Sequence, residues 1–233
     1  MNDSASTSPT SGTDESGTDR AEAGGRSEAS DRKADHLRLA GREGMQSRRR
    51  YFRGYRLEHR AVPGISLSEV DTGVRFLGKE LEAPLLISCM TGGTGEAEAV
   101  NRRLARAAER FGIAVGVGSQ RAALEEPGQA GTFQVREQAP GVPLVGNLGA
   151  VQLNYGYGPP ECEAAVEMIG ADALALHLNP LQEAIQPEGD RDFSGLLPKM
   201  GEVADRLSVP VIAKEIGCGI SGSMARELVE RGI

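Results

Sequence analysis

Apolar segments begin at Pro84, Ile113, Val142 and Ala171, each 29 residues after the one before. A strand, a helix and the return to the next strand take about that many residues. The rhythm therefore predicts βα units, and their strands are unbroken apolar runs, as parallel strands covered on both faces must be. The runs are Leu85-Leu86-Ile87, residues 113–117, Leu144-Val145 and residues 173–176, with a fifth at residues 209–213. Between them the period changes to that of helices. Residues 96–110 place Val100, Leu104, Ala107 and Phe111 on one face, with Thr94 as cap and Gly112 as stop. Residues 161–169 follow Pro159-Pro160 and precede Gly170. Residues 193–207 turn Leu196, Leu197, Met200, Val203 and Leu207 inward, and residues 223–231 end at Gly232. Regular alternation of this kind means a parallel α/β fold. Five βα units do not close an eight-stranded barrel, so the expectation is an open five-stranded sheet or the first five units of a (β/α)₈ barrel; the barrel is preferred.

Three segments make up the chain on this reading. Residues 1–30 are Ser, Thr, Gly, Asp and Glu with almost nothing apolar. They cannot bury enough surface to offset chain entropy and are expected to be disordered. Residues 31–83 form an arm and a closing segment, in which residues 73–79 read as a strand pair shutting one end of the core. Residues 84–233 are the partial barrel. Arg32, Lys33 and His36 offer an anion site in the arm, although a solvated basic turn accounts for their spacing as well; Arg48-Arg49-Arg50 reads as a solvated run.

Composition narrows the class. No apolar run is long enough to span a bilayer and no signal segment is visible, so a cytoplasmic protein is expected. A net charge of −7 argues against nucleic acid as partner. Cys89, Cys162 and Cys218 are odd in number and lack the spacing of a disulfide framework or a zinc site.

The chemistry gathers where the strands stop. The first runs into Cys89-Met90-Thr91-Gly92-Gly93, whose glycines let backbone N–H groups approach a flat ligand, and which reads equally as a tight turn. The second ends in Ser119-Gln120-Arg121, with a guanidinium suited to phosphate. The third ends at Asn147, and the fifth at Lys214, a cation directly after a buried strand. The fourth is the richest: His177, Asn179, Gln182, Glu183, Gln186, Glu188 and Asp190 crowd into one short stretch. Imidazole and amides donate to oxygens while a carboxylate takes a hard cation, a mixture that suits a diphosphate with Mg²⁺. Polar residues at successive carboxyl ends of parallel strands are how barrels build sites.

Taken together, Arg32-Lys33, Asp35-His36, the Met90–Gly93 motif, Gly118-Ser119-Gln120-Arg121, Asn147-Leu148-Gly149, the stretch from His177 to Asp190 and Lys214-Glu215 with Gly217 resemble the type 2, FMN-dependent isopentenyl-diphosphate isomerases. The resemblance begins near Arg32 and implies a (β/α)₈ barrel of which this chain carries the first five units. It is a C-terminally truncated version on this expectation, and weak FMN retention follows from the glycine-rich strand ends it would then lack. The resemblance implies that Met90, Thr91, Gly92, Ser119, Asn147 and Lys214 contact FMN. It implies that Arg32, Lys33, His36, Ser119, Gln120, Arg121, His177, Asn179 and Gln182 hold an isoprenyl diphosphate, and that Glu183 binds Mg²⁺. The implied activity is conversion of isopentenyl to dimethylallyl diphosphate by reduced FMN acting as acid and base, with NADPH as its reductant, in a homo-oligomer. The alternatives are an FMN-dependent oxidoreductase on the same barrel and an inactive fragment.

Overall fold

The computed structural model describes Leu39, Arg42 and residues 54–233. The readings made for residues 1–30, for Arg32, Lys33 and His36, and for Arg48-Arg49-Arg50 fall outside the described residues.

Five parallel strands form one sheet: β3 (Leu86–Ile87), β4 (Ala114–Gly116), β5 (Leu144–Gly149), β6 (Ala173–Leu178) and β7 (Val211–Glu215). They lie side by side in chain order. A doubly wound sheet reverses its order at a switch point, whereas a barrel wall advances in one direction, strand by strand. The sheet is thus the wall of a (β/α) barrel over five strands. A separate antiparallel hairpin, β1 (Val74–Phe76) and β2 (Lys79–Leu81), precedes it. Its two turn residues, Leu77 and Gly78, have φ of 50° and 77°, the double left-handed turn that matches the twist of paired strands.

Helices return the chain. The cap of α1 (Gly95–Phe111) is Thr94, whose hydroxyl accepts from the Ala97 N–H at 3.0 Å; Glu96 and Glu98 lie in its first turn, near the positive dipole end. Gly112 ends it at φ 59°, and a Cβ there would stand 2.5 Å from the Glu82 side chain. Prolines open α3 (Pro159–Ile169) and Gly170 closes it in the left-handed region. Next come α5 (Leu196–Arg206) and α6 (Gly222–Val229). Two short helices, α2 (Arg121–Glu125) and α4 (Pro180–Ile185), escaped the sequence reading, because five or six residues hold too little of a helical period to register.

One expectation is corrected. The buried row of α1 is Ala97, Asn101, Ala105 and Ala108, not Val100, Leu104, Ala107 and Phe111; Phe111 is 60% exposed. Small side chains let the helix axis approach the sheet, and the larger residues ride at the edge of the contact.

Side chains alternate across each strand. Leu144, Leu148, Leu174, Leu176 and Val211 face the helices in the main core. Val145 and Ala175 face the other way and pack with Cys89, Leu77 and Ile212. Leu77 at the hairpin turn therefore plugs the amino end of the inner face. Two residues further along each strand, on that same face, come Asn147, His177 and Lys214.

Candidate functional site

Along each strand the inner face turns from apolar to polar: Val145 is followed by Asn147, Ala175 by His177 and Ile212 by Lys214. Register puts Gly149, His177 and Lys214 on one rung and Asn147 one inward step below, opposite Ala175. At Gly149 a Cβ would meet Gln152 Oε1 at 2.0 Å and His177 Nε2 at 3.1 Å, so a side chain there would displace Gln152. Asn147 Oδ1 is 3.1 Å from His177 Nδ1. A carbonyl oxygen can only accept, so in this contact Nδ1 is the protonated nitrogen, while Nε2 lies on the Gly149 side.

The loop after β3 is clamped. Thr91 is buried, and its carbonyl accepts from the Gly118 N–H at 2.6 Å and from Asn101 Nδ2 at 3.1 Å. The Gly93 N–H donates to Thr132 Oγ1 at 2.9 Å. Gly92 sits at φ 153°, and a Cβ on it would lie 1.9 Å from the Phe133 ring. Met90, by contrast, is 77% exposed. Burial pushes the Cys89 thiol up to about 11, against the pull of the Lys214 charge, so Cys89 is a neutral packing group.

Beyond β6 the chain folds back on α4. Glu183 is buried; its Oε1 accepts from Asn179 Nδ2 at 2.6 Å and its Oε2 from the Asp190 N–H at 2.9 Å. Gly189 permits this return, since a Cβ there would be 1.9 Å from the Glu183 carbonyl. Asn179 is 3% exposed and its Oδ1 has no partner. Its amide cannot simply be turned over, because Nδ2 already serves a carboxylate. An orphaned acceptor beside a carboxylate suits a cation or a ligand donor. Among the described residues no group of three or more His, Cys, Asp or Glu converges as a metal cage. A cation here would rest on Glu183 and on oxygens from its ligand, which is how Mg²⁺ commonly sits with phosphates.

The remaining expected residues divide. Arg121 reaches the rim but is already paired, to Glu125 at 2.7 Å and to Asp190 at 2.7 Å, and Gln152 also donates to Asp190 at 2.8 Å. Gln182 lines the rim, where its Oε1 accepts from Asn179 Nδ2 at 3.3 Å. With Asn179, Leu181, Ile185, Glu215 and Ile216 it borders a cavity of about 190 Å³. Glu215 collects the N–H groups of Gly217, Gly219 and Cys218. Its partial burial works upward on its pKa, but those donors prevail and hold the carboxyl below its ordinary value. Ser119 is half-buried at the end of β4. Gln120 is not brought to the rim at all. It is completely buried, its Oε1 accepting from the Asn147 N–H at 3.0 Å and its Nε2 donating to the Ala165 carbonyl at 2.7 Å. Asn101 and Gln152 were missed by the sequence reading. Asn101 carried one signal, a lone amide in a row of alanines four residues apart.

A family model described as FMN-dependent dehydrogenase matches residues 38–138. A Nostoc protein (strain PCC 7120) named isopentenyl-diphosphate delta-isomerase is 52% identical over 204 residues, covering 87% of this chain and 58% of that protein. One of the same name from Rickettsia peacockii is 50% identical, covering 87% and 60%. A solved chimera of (S)-mandelate dehydrogenase has 17% identity and a TM-score of 0.49 over 73% of this chain and 55% of that one. This chain spans about three-fifths of the length of the curated relatives it matches. Over that span the chain belongs to the family of proteins named isopentenyl-diphosphate delta-isomerase.

Proposed function

We propose that this chain carries the first five βα units of a cytoplasmic, FMN-dependent enzyme that converts isopentenyl diphosphate to dimethylallyl diphosphate with Mg²⁺. The observation that carries the reading is the polar set of Asn147, His177 and Lys214, each two residues past an apolar inward residue, toward the carboxyl ends of adjacent strands. Two amide and imidazole donors and a cation on an otherwise apolar floor suit a flat, electron-rich ring carrying a diphosphate ligand above it. The family match and the names of the relatives support the same assignment.

The residues fit the absent groups in kind. Lys214, Asn147, Ser119 and the backbone of Met90–Gly92 would hold FMN, with the ammonium favouring negative charge at the ring. His177, Asn179 and Gln182 would hold the isoprenyl diphosphate, joined by Arg121 if it gives up a carboxylate partner, and by Arg32, Lys33 and His36 from the arm. Reduced FMN would supply the proton donor and acceptor that move the double bond without net redox, NADPH serving to reduce it. Asn147 Oδ1, 3.1 Å from Nδ1, favours the His177 tautomer with its proton on Nδ1. Glu183 keeps lone pairs beyond its two internal bonds and would place Mg²⁺ against the diphosphate, with Asn179 Oδ1 as a second oxygen. Val145, Ala175 and Ile212 would help keep water from the ring. A homo-oligomer remains part of the proposal.

The test is direct. The protein, supplied with FMN, NADPH, Mg²⁺ and isopentenyl diphosphate, is assayed for dimethylallyl diphosphate, with oxidation of a 2-hydroxy acid as the comparison. Product that needs both reductant and Mg²⁺ supports the assignment. Hydroxy-acid oxidation without isomerised product would replace it with the oxidoreductase reading.

A further inference from the structure

Three polar residues in a row, Ser119-Gln120-Arg121, follow β4, and the middle one points the wrong way for a ligand. Gln120 has no exposed surface. The register of β4 with β5 runs from Val115 opposite Leu144 to Gly116 opposite Val145 and then stops. Past that point the chain of β4 bends off into α2, which would leave the β4-side edge of β5 without partners. Gln120 takes over. Its backbone N–H donates to the Asn147 carbonyl at 2.8 Å, and its side-chain Oε1 accepts from the Asn147 N–H at 3.0 Å. One residue thus supplies both halves of a ladder step to Asn147. The other end of the side chain is anchored in α3, with Nε2 donating to the Ala165 carbonyl at 2.7 Å and lying 3.6 Å from Met168 Sδ. Gly146 makes room for it, since a Cβ there would stand 3.0 Å from Gln120 Oε1.

We infer that Gln120 is a positioning residue: it extends the sheet by one side-chain rung, holds Asn147 in place, and through Asn147 sets the proton of His177 on Nδ1. The chain of contacts is short. Gln120 grips the backbone of Asn147, and Asn147 Oδ1 faces His177 Nδ1 at 3.1 Å. A carbonyl oxygen displaced by even a fraction of its hydrogen-bond length no longer selects one imidazole tautomer, because the two neutral forms are close in energy in water. Gln120 therefore acts on the ligand side of the molecule without touching a ligand. The consequence for reaction rests on the isomerase proposal; the consequence for the His177 tautomer does not.

The experiment reads the tautomer. The full chain is labelled with ¹⁵N-histidine, and long-range ¹H–¹⁵N spectra are recorded without ligand. The signals of His177 are assigned by their loss in His177→Asn; the other two histidines, His36 and His59, serve as internal controls. The unsubstituted protein should show His177 with its proton on Nδ1. Gln120→Met keeps the volume of the buried side chain and removes both of its hydrogen bonds. It should lower the ratio of Nδ1–H to Nε2–H forms about fivefold, the factor expected for loss of one ordinary hydrogen bond, while His36 and His59 do not change. Gln120→Glu, read below the pH at which so buried a carboxyl ionises, restores an acceptor for Asn147 and a donor for Ala165, and should restore the ratio. If Gln120→Met loses its fold, Gln120→Glu alone decides: above and below its ionisation it must switch the His177 tautomer ratio. A thermal midpoint that falls while the His177 ratio stays fixed would make Gln120 a packing residue only and overturn the inference. So would a ratio that is unchanged by either substitution but altered by inorganic diphosphate only when Gln120 is present, which would return Gln120 to the ligand.

Discussion

The two ends of the sheet are built from similar residue types and do opposite things with them. At the amino end, Lys79, Arg136 and Asp172 are drawn together across the starts of β5 and β6. Asp172 accepts from Arg136 at 2.6 Å, from Lys79 at 3.1 Å and from the Leu144 N–H at 2.8 Å. The two cations reach further, Lys79 to the Val142 carbonyl at 3.0 Å and Arg136 to those of Ala139 and Gly170 at 2.9 and 2.8 Å. Charge there is spent on holding a hairpin and three chain segments together. At the carboxyl end, Asn147, His177, Asn179, Glu183 and Lys214 surround an opening, and one buried acceptor, Asn179 Oδ1, has no partner. Gln129 Oε1 and Gln138 Oε1 are unmet as well, so what sets Asn179 Oδ1 apart is the Glu183 carboxylate that its own amide holds at 2.6 Å. On the proposed reading the paired charges belong to the structural end and this polar cluster to the ligand end, as barrel architecture leads one to expect.

The comparison is broken most sharply at Asp172. Its burial works upward on the pKa, but the Leu144 N–H and the Arg136 and Lys79 side chains outweigh it and hold the carboxyl below the ordinary value. A depressed carboxyl contributes stability that is fully present above about pH 4, where an unfolded Asp is ionised, and is lost as pH falls through the lower folded value. Asp172→Asn leaves two cations facing each other and should cost about 3 kcal/mol at neutral pH. Urea unfolding should show that gap narrowing in acid, with Mg²⁺ and diphosphate binding unaltered at neutral pH. Asn101→Ala comes next. It frees the carbonyls of Thr91 and Thr132, and should cost about 2 kcal/mol for two buried hydrogen bonds. Hydrogen exchange should quicken at Gly93 and Gly118 and stay slow in β5. The smallest stability effect belongs to Glu183→Gln, about 1 kcal/mol, because an amide keeps one acceptor for Asn179 or Asp190. Its larger effect is on the ligand end, where Mg²⁺ affinity in the presence of diphosphate should fall about tenfold or more. A large loss of stability with unchanged Mg²⁺ affinity would move Glu183 to the structural side of the comparison.

The sequence made the scaffold legible and the inward turns illegible. The strand rhythm placed the starts of five strands to within two residues, because a doubly covered strand has to be apolar, while β5 runs four residues past its apolar pair. Thr94, Gly112, Pro159 and Gly170 marked helix ends for local reasons that survive any packing. Orientation beyond the strand ends was another matter. Ser119, Gln120 and Arg121 read alike as ligand residues, yet Gln120 enters the core and Arg121 finds two carboxylates, one of them 69 residues away at Asp190. No local pattern carries a contact at that separation. On α1 hydrophobicity pointed to Val100, Leu104 and Phe111, and close approach to the sheet selected the alanine row instead. Of the ligand end, Asn147, His177 and Lys214 were legible as polar residues directly after apolar runs, although they lie within β5, β6 and β7; the partnerships that fix each side chain were not.

The central claim, that ligands meet the carboxyl end and only that end, is tested by hydrogen exchange of the full chain with and without saturating FMN, isoprenyl diphosphate and Mg²⁺. Protection should rise in residues 89–93, 118–121, 147–149, 177–190 and 214–219, and remain unchanged around Lys79, Arg136 and Asp172. Protection appearing at the amino end of the strands, or nowhere along these five segments, would contradict the account.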